Sequence, residues 1–391
     1  MLNEACVNLG KVRSTIRELF EYGKKRKAEI GEEKVYDFSL GNPSVPAPEE
    51  VKSALLDLIE NCDPVELHGY TSSQGDYFVR KSVADSLNSK FKTNLNADCI
   101  YMTCGAAASL TISLNALLNN GDEVIVFAPF FPEYRVFCER AGGKVVVIGC
   151  DSSFRPDLNE FAKALNAKTK AVIINSPNNP SGVIYSEDTV KKIVALVKKC
   201  KNPVYIISDE PYRELAYNGG NIPFIMNYYK RSIVCYSYSK TLSLPGERIG
   251  YIAVNNEAEE FGEIYAGVLG AGRALGFVCA PALFQKLVAR CQNVTADLSV
   301  YKANRDRLIE KLSGYGFEFA KPDGAFYLFI KAPSGSAKEF AERAKKYEIL
   351  LVAGDDFGCG EYARLSYCVS PEMIERSFTA FKALADSYKG K

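Results

Sequence analysis

Apolar and polar positions along this chain repeat with two different periods. Val12, Ile16, Leu19 and Phe20 recur at helical spacing and predict that the start of the chain is an amphipathic helix running to about Ala28. Val35 to Leu40 reads as a short extended segment stopped by the turn Gly41-Asn42-Pro43, and a second helix is expected between Pro48 and Glu60. From Cys99 onward short apolar runs alternate with helical stretches. Glu123–Phe127, Lys144–Ile148, Ala171–Asn175, Val204–Ser208, Ser232–Tyr236 and Ile249–Val254 predict strands. Helical patterns at Ala106–Leu118, Tyr134–Ala141, Leu158–Leu165 and Ser186–Lys199 fall between several of them. Strands that are apolar without alternation are covered on both faces, so the pattern predicts an α/β fold with a mostly parallel sheet flanked by helices. From about Leu283, long helices with strand-like Phe326–Ile330 and Arg364–Val369 predict a smaller α+β domain.

Composition narrows the chemistry. With 391 residues, 47% hydrophobic and 24% charged, the chain can bury the cores of one large and one small domain. A formal net charge of +1 with no long run of Lys or Arg gives no support for binding nucleic acid or an anionic membrane surface. The stretch Met1 to Arg17 lacks an apolar signal core, and no later stretch reaches the roughly 18 apolar residues of a membrane span. The 12 cysteines are scattered singly without a C-x-x-C pair, which predicts reduced thiols and a cytoplasmic compartment. His68 is the only histidine, so a multi-His metal centre is excluded and any Ser-His-Asp arrangement would have to use that residue. Chemistry here rests on lysine, tyrosine, carboxylates or a cofactor.

In open α/β sheets ligands bind beyond the carboxyl ends of the strands. Ala171–Asn175 is followed by Ser176-Pro177-Asn178-Asn179-Pro180-Ser181-Gly182, and Val204–Ser208 by Asp209-Glu210-Pro211-Tyr212. Ser232–Tyr236 leads into Ser237-Tyr238-Ser239-Lys240 and then Pro245-Gly246-Glu247-Arg248. Singly, each has an ordinary structural reading: Asn-Pro and Pro-Gly make turns, Asp after a strand caps helices, and a loop lysine is solvated. Together they bring an Asn, an Asp with a Tyr, and a Ser with a Lys and an Arg to one rim.

These residues resemble the class I and II aminotransferases, the pyridoxal-phosphate enzymes of the aspartate aminotransferase fold. The most specific part is Ser237-Tyr238-Ser239-Lys240-Thr241 through Pro245-Gly246-Glu247-Arg248-Ile249-Gly250-Tyr251, similar to the family's cofactor-attachment signature. Supporting stretches are Asn178 to Gly182, Asp209 to Tyr212, Pro322-Asp323-Gly324-Ala325-Phe326-Tyr327 and Arg364-Leu365-Ser366. The resemblance implies a large domain over residues 46–282 with a mostly parallel seven-stranded sheet, and a small domain built from 1–45 and 283–391. It implies that Lys240 holds pyridoxal 5′-phosphate as a Schiff base and then acts as general base. Asp209 would keep the pyridine nitrogen protonated, and Asn179 and Tyr212 would bond the ring 3′-oxygen. Ser237, Arg248 and the helix opening at Gly105-Ala106-Ala107 would take the phosphate, and Phe131 would stack on the ring. Arg364, beside the loop at Gly41, would bind the substrate α-carboxylate together with Asn179. Tyr70 resembles the tyrosine that crosses a homodimer interface to the partner's phosphate; the adjacent His68 reads as structural.

The implied reaction is ping-pong transfer of an amino group from an L-amino acid to a 2-oxo acid such as 2-oxoglutarate, in amino-acid metabolism and biosynthesis. An aspartate-type donor comes first, with aromatic or neutral donors next. Ala107 stands where one aspartate-specific branch has a lysine, and Arg273 lies near the place where another branch uses an arginine from the partner subunit. The same Lys, Asp, Asn and Arg also serve a C–S β-lyase. The third reading is a non-catalytic cofactor-binding regulator, for which the residues before Tyr36 are too few to form a winged-helix module.

Overall fold

A computed structural model describes residues 2–11, 14–217, 219 and 221–389. Its strands are β1 (Tyr36–Asp37), β2 (Ile100–Thr103), β3 (Glu123–Phe127), β4 (Lys144–Ile148), β5 (Thr169–Asn175) and β6 (Tyr205–Asp209). They continue with β7 (Ser232–Ser237), β8 (Gly250–Val254), β9 (Tyr327–Lys331), β10 (Ile349–Leu350), β11 (Val352–Ala353) and β12 (Tyr362–Ser366). Seven of them form one sheet in the order β2-β8-β7-β6-β5-β3-β4, with β8 antiparallel to both of its neighbours and the other pairs parallel. The α/β class with a mostly parallel sheet expected from the continuous apolar runs is therefore present, and β3 and β4 match the expected ranges at both ends.

The sheet is covered on both faces, which is why its strands do not alternate. One apolar core contains Ile125, Val172, Ile206 and Val234, and the opposite core contains Val124, Ile173, Ile207 and Ile233. Successive residues of each strand thus point into different cores. Each such fully buried side chain contributes roughly 1.5–3 kcal/mol of transfer free energy. The crossover helices start where local chemistry supplies a cap. Asp157 accepts from the backbone N–H groups of Asn159 and Glu160 at the head of the helix Leu158–Ala164, and Ser186 accepts from Thr189 at 3.2 Å before Glu187–Val197.

The three-stranded antiparallel sheet β11-β12-β9 and the parallel pair β1-β10 pack with a third core that draws on Phe38, Leu308, Phe326, Phe340, Leu365 and Phe381. The helices Ser299–Tyr315 and Pro371–Asp386 lie against this group. The beginning of the chain departs from the expected single helix. There are two, Glu4–Lys11 and Thr15–Ile30, and Val12 lies outside the described residues. In the second, Leu19 packs with Val35, Leu350, Val352 and Phe357 while Phe20 is exposed. The helix Tyr77–Phe91 was not anticipated. It buries Val79, Arg80, Val83, Ala84 and Leu87 but begins on the exposed aromatics Tyr77 and Phe78, which blurs its apolar stripe.

Gly250 marks the closest approach in the sheet. A Cβ there would lie 2.3 Å from the Tyr236 carbonyl oxygen and 3.0 Å from the Gly105 Cα, both backbone atoms that cannot swing aside. Replacing Gly250 by Ala should therefore lower the urea midpoint by the equivalent of about 3 kcal/mol. Gly246→Ala, at an exposed site with nothing within 4 Å of the added carbon, should leave it unchanged. Equal midpoints for the two variants would contradict this packing.

Candidate active site

Parallel pairing in register sets the rim. Asn175 at the end of β5 lies opposite Asp209 at the end of β6, and Asp209 lies opposite Cys235, two residues before Ser237. Asn175 then ties the next loop to this edge: its Nδ2 donates to the Asp209 carbonyl at 2.9 Å, and its Oδ1 accepts from the Asn179 N–H at 2.8 Å. Asn178 closes the loop, donating to the Pro129 carbonyl at 3.1 Å and accepting from the Ser181 hydroxyl at 2.7 Å. Asn179 is thereby aimed without relying on its own side chain.

Asp209 is the most constrained group of the site. It is buried, and its Oδ2 accepts from the Tyr134 hydroxyl at 2.5 Å, while Oδ1 is buried with no partner. Burial pushes its pKa up to about 7 against the pull of the Tyr134 hydrogen bond. An unpaired buried carboxylate oxygen costs about 1–3 kcal/mol or more, and a cationic N–H donor removes that cost. Lys240 lies on the next strand's exit, in the short helix Tyr238–Thr241. Its amine donates to the Gly41 carbonyl at 2.7 Å and sits 5.4 Å from the centroid of the Phe326 ring. Burial first, and then the Arg248 and Arg364 charges, lower its pKa to about 8 against the pull of Cys368.

The carboxylate end is assembled from both sheets. Arg364 on β12 is 2% exposed; its Nη1 donates to Asn179 Oδ1 at 3.1 Å and its Nη2 to the Ser39 carbonyl at 2.6 Å, which leaves Nε buried and unpaired. The guanidinium lies 4.7 Å from the Tyr327 ring and 5.2 Å from the Phe357 ring. The Tyr212 and Tyr327 hydroxyls share a hydrogen bond of 2.9 Å. Gly41 is a glycine for space, since a Cβ would fall 2.0 Å from the Tyr327 hydroxyl.

At the opposite end Gly105, with φ of 86°, opens the helix Ala106–Leu117 without a side-chain cap, so its first N–H groups are not taken by a capping side chain. A Cβ on Gly105 would meet Arg248 Nη2 at 2.8 Å. The Ser237 hydroxyl bonds that of Ser239 at 2.7 Å, and Arg248 donates to the same Ser239 oxygen at 3.5 Å. The uncapped helix start, two hydroxyls and a guanidinium form an anion cradle.

The fold thus gathers Lys240, Asp209, Asn179, Tyr212, Gly41 and Arg364 through a continuous chain of contacts, with Gly105, Ala106, Ser237 and Arg248 at its far end. Ala107 is exposed on the first turn of that helix. Phe131 is half-buried and meets Tyr134 edge-on at 5.7 Å, so its contact inside the chain is with the tyrosine that holds Asp209. Tyr70 stands apart, with its side chain wholly exposed. Arg273, in the last turn of the helix Phe261–Ala274, and His68 are also exposed. The sequence reading missed Tyr134, Tyr327, Asn175, Ser239 and Ser39. Ser239 and Tyr327 lay inside stretches already singled out; no local signal marked Tyr134 or Ser39, which reach the site through tertiary packing.

These features fit pyridoxal 5′-phosphate: Asp209 Oδ1 lacks only a cationic N–H, the cradle at Gly105 suits a phosphate, and Lys240 has an amine of lowered basicity. Residues 33–381 match the family model for aminotransferase class I and II. An amino transferase from Eubacterium rectale is a structural neighbour with a TM-score of 0.97 and 52% identity, covering 100% of both chains. The aspartate aminotransferase of Thermotoga maritima is 32% identical over 95% of this chain and 97% of its own length. The aromatic-amino-acid aminotransferase 2 of Thermococcus litoralis is 28% identical over 93% of each chain. With its match spanning the chain from β1 to the last helix, and with a lysine, carboxylate and anion cradle that fit the cofactor, the chain belongs to the class I and II aminotransferases and is a pyridoxal-phosphate-dependent transferase of amino groups.

Proposed function

We propose that the enzyme takes the amino group from an aspartate-type L-amino acid and passes it to 2-oxoglutarate or a similar 2-oxo acid, both half-reactions using one site. The observation that carries this reading is that two buried groups of the site, Asp209 Oδ1 and Arg364 Nε, are left without a partner while the Lys240 amine is held by the Gly41 carbonyl. Pyridoxal phosphate supplies an electron sink conjugated to the substrate Cα. Lys240, with a pKa near 8, is partly neutral at physiological pH and would accept the Cα proton and return it to the carbon across the amino nitrogen. Asp209 would hold the proton on the ring nitrogen; Asn179 and Tyr212 would serve the ring 3′-oxygen, and Phe131 its face. Ser237, Ser239, Arg248 and the N–H groups at Gly105, Ala106 and Ala107 would hold the phosphate. Arg364 offers Nε to the substrate carboxylate beside Gly41 and Asn179.

The aspartate preference is supported by the name of the Thermotoga relative, and the Thermococcus relative makes aromatic donors the next class. We propose an organisation into a large part, 46–282, and a small part, 1–45 with 283–391, with one adjustment. Leu287, Val288 and Cys291 pack in the core of the large sheet, which extends that part to about residue 291. A homodimer is supported by the exposed apolar residues Leu56, Ile59, Val65, Tyr70, Phe78, Leu275 and Val278. The segments of Val278 and Tyr70 adjoin, since Cys279 donates through Sγ to the Thr71 carbonyl at 3.2 Å. Arg273 precedes Leu275 on that surface. Among the described residues no helix is long and apolar enough to cross a membrane, and a cytoplasmic site fits the 12 free cysteines.

Four outcomes are expected. Mixing the loaded enzyme with aspartate should bleach the lysine–cofactor absorbance and 2-oxoglutarate should restore it, with neither change in Lys240→Ala; release of pyruvate and ammonia from cysteine or cystathionine would instead mark a C–S lyase. Arg364→Ala should raise KM for amino and oxo acids alike by about 100-fold, the loss of a charge-assisted pair worth about 3 kcal/mol; unchanged KM values would displace the carboxylate site. Light scattering should give twice the 43.1 kDa chain mass, and Phe78→Glu should halve it.

The fourth concerns pH. Because the folded pKa of Asp209, about 7, lies above the ordinary carboxylate value of 3.8, its burial penalty is full above pH 7 and fades as pH falls toward 4. In cofactor-free protein Asp209→Asn should gain stability relative to the native chain at pH 8, and this gain should shrink by about 3 kcal/mol at pH 5. A pH-independent difference in urea unfolding would contradict that ionisation.

A further inference from the structure

Cys150 and Cys359 come from distant parts of the chain and meet where the two sheets join. Cys150 follows β4 and pairs in a backbone bridge with Pro156. Cys359 lies in the turn between β11 and β12, its N–H donating to the Gly354 carbonyl at 2.9 Å and its carbonyl accepting from Tyr362 at 3.1 Å. Both side chains pack on the small apolar cluster of Phe154, Val183 and Phe329. Both are free thiols and only half-buried. A cleft of about 430 Å³ opens beside the same cluster, with Val183, Ala320 and Tyr362 on its wall. Sharing one small cluster, the two thiols bear on each other's ionisation, Cys359 drawing the Cys150 pKa down while its own is driven up. A neighbouring pair in which one sulfur ionises early and the other is at hand is the arrangement that resolves to a disulfide.

We propose that Cys150 and Cys359 form a reversible redox pair whose oxidation by a peroxide bonds the exit of β4 to the β11–β12 turn. In the first step the Cys150 thiolate attacks one peroxide oxygen, the O–O bond breaks, and the departing hydroxide takes a proton to leave as water. In the second, Cys359 sulfur attacks the resulting sulfenic acid, and the S–O bond breaks with loss of a second water. Two thiols are thus oxidised by two electrons and one hydrogen peroxide is reduced to two waters. A small-molecule dithiol returns the pair to its starting state by exchange.

The bond would reach the substrate site through Phe357. This residue is two positions before Cys359, its carbonyl accepts from the Phe130 N–H at 3.0 Å, and its ring lies 5.2 Å from the Arg364 guanidinium. Tying down the turn restrains one wall of that pocket. This consequence rests on the proposed role of Arg364, whereas formation of the bond does not.

The test treats the reduced holoenzyme with stoichiometric hydrogen peroxide, then blocks free thiols, digests without reductant and identifies linked peptides by mass spectrometry. The expected result is a Cys150–Cys359 link formed before any other pairing and removed by dithiothreitol. KM for the 2-oxo acid should change by about fivefold or more and recover with the reductant. Cys150→Ser and Cys359→Ser should each retain their basal KM and lose the peroxide response. Absence of the link in the native chain, or earlier linkage of other cysteines, would overturn the pair without touching the transaminase reading. A link that leaves KM unmoved would overturn its regulatory effect, while failure of the donor titration with the link present would fall on the proposed reaction alone.

Discussion

A carboxylate buried with one oxygen unpaired is expensive, and the site is organised around Asp209 in that state. Its Oδ2 is held by Tyr134 and its backbone by the parallel ladder and Asn175, so the carboxylate has little freedom to turn toward water. Burial raises its pKa to about 7, which leaves the isolated chain balanced between a charged and a neutral form. In the proposed arrangement a cationic ring N–H at Oδ1 would resolve that balance in favour of the anion, and the anion would in turn keep the ring charged. Cofactor and carboxylate each make the other's ionised form affordable in a dry site.

Everything else sets distances from that point. The parallel strands β5 and β6 end at one level and β7 runs two residues further, which brings the Asn179 loop, Asp209 and the Ser237–Lys240 segment to one edge. Close packing between the two sheets brings Arg364 and Tyr327 across, and Gly41 allows the chain that accepts the Lys240 hydrogen bond to pass against Tyr327. Lys240 is held by a backbone carbonyl instead of a carboxylate, so no ion pair opposes the loss of its proton. Two opposite shifts, a lysine lowered and an aspartate raised, follow from the same desolvation.

Much of this was legible in the sequence because it depends on local pattern. Continuous apolar runs between helical stretches revealed the sheet, and the residues after each run revealed its rim. The reversed direction of β8 was not legible, since an apolar strand reads alike in both directions. Tyr134 was passed over because a tyrosine at the start of an ordinary helix carries no mark of the hydrogen bond it will make 75 residues away. The single helix expected at the start of the chain is two, Glu4–Lys11 and Thr15–Ile30, because apolar spacing reports a face and says little about where a helix begins or ends. Tyr70 is wholly exposed in the chain.

The most direct test of the account is the protonation state of the bound cofactor's ring nitrogen. Enzyme loaded with pyridoxal phosphate labelled with ¹⁵N in the ring should show, by NMR, a protonated nitrogen throughout pH 6–9, because Asp209 Oδ1 is held ready for that N–H alone. An unprotonated nitrogen in the native enzyme at neutral pH would mean that Asp209 does not govern the electron sink, and the arrangement described around it would have to be abandoned.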